Sequence, residues 1–198
     1  PFATISGAME WAGDGDLIRV RPAVYAETVS FQGKAVAIEA EAGAILDLQG
    51  QEGPGVLFID GEERGSVLTG LVIRNAQGGA VLIEGAAPTL VGNTILEGSA
   101  VRAAVSIRAG AAPLLASNVL WNNQGEMGSA ILCQDAAPEI IHNALLQNES
   151  TLLAGSLHLD WGCNAFVEAN LIEGSSNMGL LCLDGSSPWV AYNDVTGS

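Results

Sequence analysis

Short runs in which apolar residues occupy every second position recur along the chain. Val105 and Ile107 form one such alternating pair, and Leu157 and Leu159 form another. Alternation with a period of two predicts half-buried β-strands. A turn of small residues, usually with a proline, follows each run, and an asparagine comes five residues later; these asparagines are Asn93, Asn118, Asn143, Asn170 and Asn193. The chain is therefore predicted to repeat one strand-based unit.

The spacing of the asparagines predicts how the units are arranged. Successive asparagines are 25, 25, 27 and 23 residues apart. Three short strands separated by tight turns in such a unit are typical of a parallel β-helix, in which each strand pairs with its counterpart one coil away. We therefore expect an all-β parallel β-helix with three strands per coil and about 23–27 residues per coil. The asparagines are expected to bond the next coil and the local backbone, which is a structural role.

Stacking at about 4.8 Å per coil turns each position of the repeat into a column of side chains. On the strand before the proline turn, the inward columns are predicted to be Val81, Val105, Ile131, Leu157 and Leu181, followed by Ile83, Ile107, Cys133, Leu159 and Leu183. The outward columns are predicted to be Phe58, Leu82, Ser106, Leu132, His158 and Cys182, with Asp60, Glu84, Arg108, Gln134, Asp160 and Asp184 beside them.

The N-terminal segment has a different pattern. Ile5, Ala8 and Met9 have helical spacing, which predicts a short amphipathic helix from Thr4 to Ala12. Such a helix would cover core side chains and unpaired strand edges at the first coil. We expect residues 1–16 to form a capping helix and turn, and residues 17–198 to form a single β-helix domain belonging to a longer protein.

A resemblance to a known family adds to this picture. The segment from Gly15 to Glu27 reads GDLIRVRPAVYAE. It resembles the opening of right-handed parallel β-helix proteins of the pectin-lyase-like superfamily, whose usual Pro-Gly-Val-Tyr is Pro-Ala-Val-Tyr here. The coils from Gly65 onward look like the generic repeats of that family. The resemblance implies a right-handed β-helix and, in the family's polysaccharide lyases and hydrolases, a substrate groove on the wall before the proline turn.

Charge and cysteine content limit the partners and the cross-links. The chain has 22 acidic and 7 basic residues and a formal net charge of -15. Nucleic acid and anionic membranes are poor partners for such a surface, and no apolar run reaches the roughly 18 residues of a membrane span. Cys133 is predicted in the core, whereas Cys163 and Cys182 are predicted far apart on the coil, so all three are expected to be free thiols.

His158, Asp160 and Asp184 are the candidate catalytic residues, because they are predicted on adjacent coils of the groove wall. Two carboxylates in register about 4.8 Å apart would perturb each other's ionisation, and a pair near 5 Å is compatible with retaining glycoside hydrolysis. The favoured alternative is that both carboxylates are solvated residues at strand ends.

Glu84, Arg108 and Gln134 are candidate binding residues on the same wall. Arg108 could neutralise a uronate carboxylate in a lyase, but the favoured interpretation is that it neutralises Glu84 one coil away. The Asn-Thr-Asp, Gly-His-Gly, Gln-Asp-Thr-Leu and Trp-x-Asp-His motifs of the family's enzymes do not occur. No metal site or cofactor is expected; Ca²⁺ between Asp14 and Asp16 is the alternative to a plain turn.

The other two outer walls are predicted to be apolar. One carries Phe166 and Trp189, and the next carries Trp121. Such surface indicates contact with a neighbouring domain, another copy of the chain or a polysaccharide. We therefore favour a non-catalytic β-helix module, structural or carbohydrate-contacting, of a secreted, cell-surface or periplasmic protein. The alternative is a polysaccharide lyase or glycoside hydrolase that uses His158, Asp160 and Asp184.

Overall fold

The computed structural model describes residues 1–152 and 154–197. It contains one helix, α1 (Ile5–Trp11). The strands, in chain order, are β1 (Leu17–Val20), β2 (Ala23–Tyr25), β3 (Val29–Ser30), β4 (Ala37–Ala40), β5 (Ala44–Asp47), β6 (Val56–Phe58), β7 (Val67–Thr69), β8 (Val72–Arg74), β9 (Val81–Glu84), β10 (Thr89–Val91), β11 (Thr94–Leu96), β12 (Ser99–Ala100), β13 (Val105–Arg108), β14 (Leu114–Ala116), β15 (Val119–Trp121), β16 (Gln124–Gly125), β17 (Ile131–Gln134), β18 (Glu139–Ile141), β19 (Ala144–Leu146), β20 (Glu149–Ser150), β21 (Gly155–Asp160), β22 (Phe166–Glu168), β23 (Leu171–Glu173), β24 (Met178–Cys182), β25 (Trp189–Ala191) and β26 (Asp194–Thr196).

These strands form three long sheets and one short sheet, and their order confirms the parallel β-helix. Sheet A runs β1-β4-β7-β10-β14-β18-β22-β25, and sheet B runs β2-β5-β8-β11-β15-β19-β23-β26. Sheet C runs β3-β6-β9-β13-β17-β21-β24, and the short sheet is β12-β16-β20. Neighbours in each sheet come from successive coils and pair in parallel, as Leu90 of β10 does with Leu115 of β14. Apolar side chains that point inward from the three long sheets form one continuous core.

The predicted asparagine ladder is confirmed. The Asn118 amide nitrogen donates to Oδ1 of Asn143 at 2.9 Å, and Asn118 Nδ2 donates to the same oxygen at 3.0 Å and to the Leu90 carbonyl at 2.9 Å. The pattern repeats from Asn93 to Asn193. A second, shorter ladder, which the sequence interpretation missed, joins Asn123 to Asn148 in the same way.

The ladder stabilises a costly backbone bend between sheets A and B. The residue before each ladder asparagine has a positive φ, between 52° and 65°, and these residues are Gly92, Ser117, His142, Ala169 and Tyr192. Non-glycine residues adopt this left-handed conformation at a cost of about 1–2 kcal/mol each. The asparagine side chains bond the backbone groups that the bend removes from the sheet ladders, which offsets this cost.

Helix α1 packs against the first coil and buries Ile5, Ala8 and Met9. Its first turn is held by Thr4 Oγ1, which accepts from the Gly7 amide at 3.0 Å, and by Glu27, whose carboxylate accepts from the amides of residues 5 and 6. At the other end, Lys34 Nζ donates to the Met9 carbonyl at 2.6 Å. The helix termini therefore have charged partners of the sign that the helix dipole favours.

The strand register differs from the prediction at both ends of sheet C. Phe58 pairs with Ile83 and belongs to the inward column, where it is buried and stacks on Phe31 at 4.2 Å between ring centroids. The predicted outward position of Phe58 was wrong, and Asp60 is displaced from the Glu84 column by the same shift.

In the last coil the predicted alignment is off by one residue. Leu157 pairs with Leu180, His158 pairs with Leu181, and Leu159 pairs with Cys182. Leu181 therefore belongs to the outward column and Cys182 to the inward one, the reverse of the prediction. The physical reason is coil length, because this offset of 23 residues matches the last step of the asparagine ladder.

The prediction of three free thiols was wrong. Cys133 and Cys163 form a disulfide, with their Cα atoms 5.8 Å apart, and Cys182 is free and exposed. Cys163 lies in the turn after β21, at the position that Ala111 and Ala136 occupy in earlier coils, and all three side chains are buried. The steps between these turn residues equal those of the asparagine ladder, so the sequence did contain the signal that turns Cys163 inward.

Replacing Asn118 by alanine is expected to lower the free energy of unfolding by about 3 kcal/mol, because it leaves several buried backbone and side-chain groups without partners. Denaturant unfolding measures the loss. Asn193→Ala is the matched control at the half-buried end of the ladder, where water can replace the lost bonds. Equal losses in the two variants would contradict the structural role of the buried ladder.

The disulfide predicts the number of reactive thiols. In guanidinium chloride without reductant, a thiol-specific reagent should detect one thiol per chain, and after reduction it should detect three. The Cys182→Ser variant should give none before reduction. Three thiols in the unreduced wild-type protein would show that the disulfide is absent.

Candidate functional site

The outer face of sheet C carries most of the sequence-predicted site residues. Glu84, Arg108, Gln134 and Asp160 occupy one outward column, in register on β9, β13, β17 and β21. The predicted pairing of Arg108 with Glu84 is confirmed, since Arg108 Nε and Nη2 donate to Glu84 Oε2 at 3.1 and 2.9 Å. Both side chains are partly exposed, so this ion pair contributes little to stability.

A cleft of about 340 Å³ lies on this face. Leu82, Ser106 and Arg108 line it on the sheet, and the loops before β6, β9 and β13 contribute Glu52, Gln77 and Arg102 among other residues. These loops project from successive coils, so the cleft crosses several strands. The sequence interpretation missed the cleft because its rim consists of loop residues that do not follow the repeat.

Arg102 is the cation in this cleft that has no carboxylate partner among the described residues. Arg19, Arg64, Arg74 and Arg108 each form an ion pair with an acidic side chain. Arg102 Nη1 instead donates to the neutral Oε1 of Gln134 at 2.8 Å. Its positive charge is therefore available to an anionic group that enters the cleft.

The other ion pairs of the described residues join side chains of different coils of the β-helix. On sheet B, a hydrogen bond from Asn75 lowers the pKa of the Asp47 carboxyl, and Arg74 adds to this effect against the opposing effect of burial.

Gln134 does not line the cleft itself; it is 5% exposed and contacts the cleft residue Arg102. Arginine can only donate, so the bond from Arg102 fixes Oε1 of Gln134 toward the guanidinium. The amide nitrogen Nε2 is then buried and has no partner among the described residues. The predicted binding residue Gln134 therefore lies behind Arg102 and is not open to solvent.

His158 is also covered, being 6% exposed. Its Nδ1 lies 2.5 Å from the Met127 carbonyl oxygen, in the loop that follows β16. This loop turns tightly, because a Cβ on Gly125 would lie 1.8 Å from the Gly128 carbonyl oxygen. It also packs on sheet C, because a Cβ on Gly128 would lie 3.4 Å from the Cβ atoms of His158 and Leu132. A carbonyl oxygen can only accept, so Nδ1 carries the proton, and Nε2 is buried without a partner among the described residues.

The structure does not bring the three predicted catalytic residues into one open site. His158 and Asp160 share β21, but Asp160 is only 6% exposed and its Oδ1 accepts from the Trp161 amide at 2.8 Å. Asp184 lies in the turn after β24, with a φ of 44°, and is one residue out of register with Asp160. The two carboxylates are thus not the in-register pair that the sequence predicts.

The predicted aromatic residues lie on other walls. Phe166 and Trp189 are neighbours on sheet A, with ring centroids 4.4 Å apart and an interplanar angle of 9°. Because they belong to adjacent coils, they stack along the β-helix axis, and each ring has one face covered by the other. Trp121 lies on sheet B and donates from Nε1 to Gln147 Oε1 at 2.9 Å.

These apolar walls are not continuous. The column that holds Leu114 and Phe166 is interrupted by Glu139, and the column of Trp121 continues through Leu146 into the polar residues Glu173 and Thr196. Glu139 is in turn paired with Arg64 at 2.6 Å. Charged residues therefore divide each wall into small apolar patches.

Two further properties concern metals and membranes. Within residues 1–152 and 154–197, no group of three or more His, Cys, Asp or Glu side chains is arranged to hold a metal ion. Over the same ranges, no helix has the length and apolar character needed to cross a membrane.

Comparison with known proteins adds no assignment: the chain matches no family model, no curated protein and no solved structure.

The contact between His158 and Met127 predicts an unusual tautomer. When the imidazole is neutral, His158 should be protonated at Nδ1, whereas a solvent-exposed histidine such as His142 favours protonation at Nε2. Nitrogen-15 correlation spectra of the His142→Gln variant, which leaves His158 as the single histidine, would show which nitrogen carries the proton. A His158 ring protonated at Nε2 would mean that the loop does not cover it as described.

Proposed function

We propose that this chain is a non-catalytic β-helix module of a secreted or cell-surface protein and that it binds carbohydrate in the cleft on sheet C. The observation that carries this proposal is the cleft itself, in which Arg102 has no carboxylate partner among the described residues. A cleft that crosses successive strands fits an extended chain of sugars, and polar groups along it can bond hydroxyls.

The chemistry of the cleft favours an acidic sugar. Arg102 supplies a guanidinium, which binds carboxylates with two parallel hydrogen bonds. Ser106 and Gln77 supply neutral hydrogen-bonding groups nearby. A uronate-containing oligosaccharide would use both kinds of contact, whereas a neutral oligosaccharide would use only the second.

The disulfide supports the proposed location outside the cytoplasm. Disulfides such as Cys133–Cys163 form and persist in oxidising compartments and are rare in the cytosol. The resemblance of residues 15–27 to pectin-lyase-like proteins agrees with a secreted, right-handed β-helix that contacts polysaccharide, and we propose membership of that superfamily on this basis.

The covered positions of His158 and Asp160 argue for binding without cleavage. A general acid or base must reach the reacting group of its substrate within hydrogen-bond distance. Both side chains are covered, and Asp184 is displaced from them. The alternative function, a lyase or glycoside hydrolase using these three residues, would require the loop over His158 to move away.

The test is isothermal titration calorimetry with oligogalacturonates and, for comparison, cello-oligosaccharides. We expect tighter binding of the acidic sugars and a roughly tenfold loss of affinity in Arg102→Ala, because a charge-assisted hydrogen bond is removed. Arg64→Ala is the matched control, since it removes the same charge from the turn before β7, outside the cleft.

Two results would contradict this proposal. One is the absence of binding to every sugar, or binding that Arg102→Ala leaves unchanged. The other is release of new reducing or unsaturated ends by the wild-type protein that is abolished in Asp160→Asn, which would establish the enzymatic alternative instead.

A further inference from the structure

The N-terminal end of the β-helix contains a groove of about 630 Å³ between helix α1 and strand β1. One side is formed by Phe2, Ile5, Ala8, Trp11 and Ala12, and the other by the continuous run of residues 16–21. Because residues that point in opposite directions from β1 all line it, the groove borders the backbone edge of this strand. It shares no residue with the carbohydrate cleft.

The edge of β1 that faces the groove is unpaired within the described residues. β1 is the terminal strand of sheet A, and β4 is its neighbour. The carbonyls of Asp16 and Val20 accept from the amides of Ala37 and Glu41 on the β4 side. Alternation along a parallel strand then directs the N–H and C=O groups of Leu17 and Arg19 away from β4 and toward the groove.

We propose that this groove binds an extended peptide segment of a partner protein, which adds to sheet A as a strand beside β1. An unpaired strand edge offers donors and acceptors at the spacing of another polypeptide backbone. A small molecule would satisfy only one or two of these groups. The groove also has an apolar lining that an alternating peptide can use, with Trp11 80% exposed and Leu17 50% exposed.

The side chains around the edge indicate the sequence of the segment. Ile18 and Val20 point toward the core side, next to helix α1, so the residues of the added strand on that side should be apolar. Arg19 points outward and is 3.6 Å from Glu39 of β4. A carboxylate at the corresponding position of the added strand would meet Arg19 from its other side.

A second copy of this chain is a poorer occupant. Two copies that paired through their β1 edges would present arginines to each other in place of carboxylates. Each copy also carries a formal net charge of -15, which opposes association.

The probe is a capped synthetic peptide with the sequence of residues 35–42, AVAIEAEA, because this sequence already pairs with the other edge of β1. We expect saturable binding of the labelled peptide, measured by fluorescence anisotropy, and a blue shift of Trp11 emission in a variant with Trp121, Trp161 and Trp189 replaced by Phe. A peptide with Ile38→Pro should not bind, because proline removes a ladder donor and distorts the strand.

A charge swap locates the site. Arg19→Glu should weaken binding of the peptide roughly five- to tenfold, and a peptide with Glu39→Lys should recover the loss on this variant. Arg64→Glu, in the turn before β7 and outside the groove, should leave binding unchanged. The exposed position of Arg19 means that its replacement should leave the thermal unfolding midpoint nearly unchanged.

The proposal is overturned if the peptide does not bind saturably, if the proline peptide binds equally well, or if Arg19→Glu has no effect. Sedimentation velocity tests whether a second copy of the chain occupies the groove instead. Self-association of the wild-type protein that Arg19→Glu abolishes would assign the groove to a second copy and would likewise overturn a peptide partner.

Discussion

Parallel pairing between successive coils is the constraint on which the rest of the structure depends. Most strands are two to four residues long, too short to be stable alone, so each exists only because its neighbours supply backbone hydrogen bonds and a shared core. Pairing in register stacks each side chain on its counterpart about 4.8 Å away. A polar side chain in an inward column must therefore find its partner in the adjacent coil, as the asparagines at the sheet A to sheet B bend do.

The same constraint separates the scaffold from the surfaces available for binding. Side chains in one column lie next to one another along the β-helix axis. The loops between strands determine which of these side chains are exposed to solvent. On sheet C the loop after β16 covers His158, while the loops before β6, β9 and β13 leave a cleft beside Ser106 and Arg108. At the N-terminal end, helix α1 covers the core but leaves the edge of β1 beside an open groove. The two surfaces that we propose as binding sites therefore lie where the loops and the helix cover the regular scaffold incompletely.

Periodicity accounts for what the sequence could predict. The asparagine spacing gave the coil length, the parallel architecture and most core columns, because those features repeat. Errors arose where the repeat changes length: Leu181 and Cys182 exchanged faces in the last coil, and Phe58 moved inward near the start. Cys163 was wrongly predicted to be a free thiol, although its position in the repeat, equivalent to Ala111 and Ala136, indicated an inward side chain. Burial of His158 and Gln134 could not be predicted, since it depends on loop residues, Met127 and Arg102, that follow no period.

Hydrogen exchange measured by mass spectrometry, with and without an oligogalacturonate, would show whether carbohydrate binds in the cleft on sheet C, because it reports where a carbohydrate contacts the chain. We expect slower exchange in residues 52–54, 77–79 and 101–108, which border the cleft, and unchanged exchange around the stacked rings of Phe166 and Trp189. Protection confined to residues 166–191, or no protection at a saturating concentration of the sugar, would contradict this expectation.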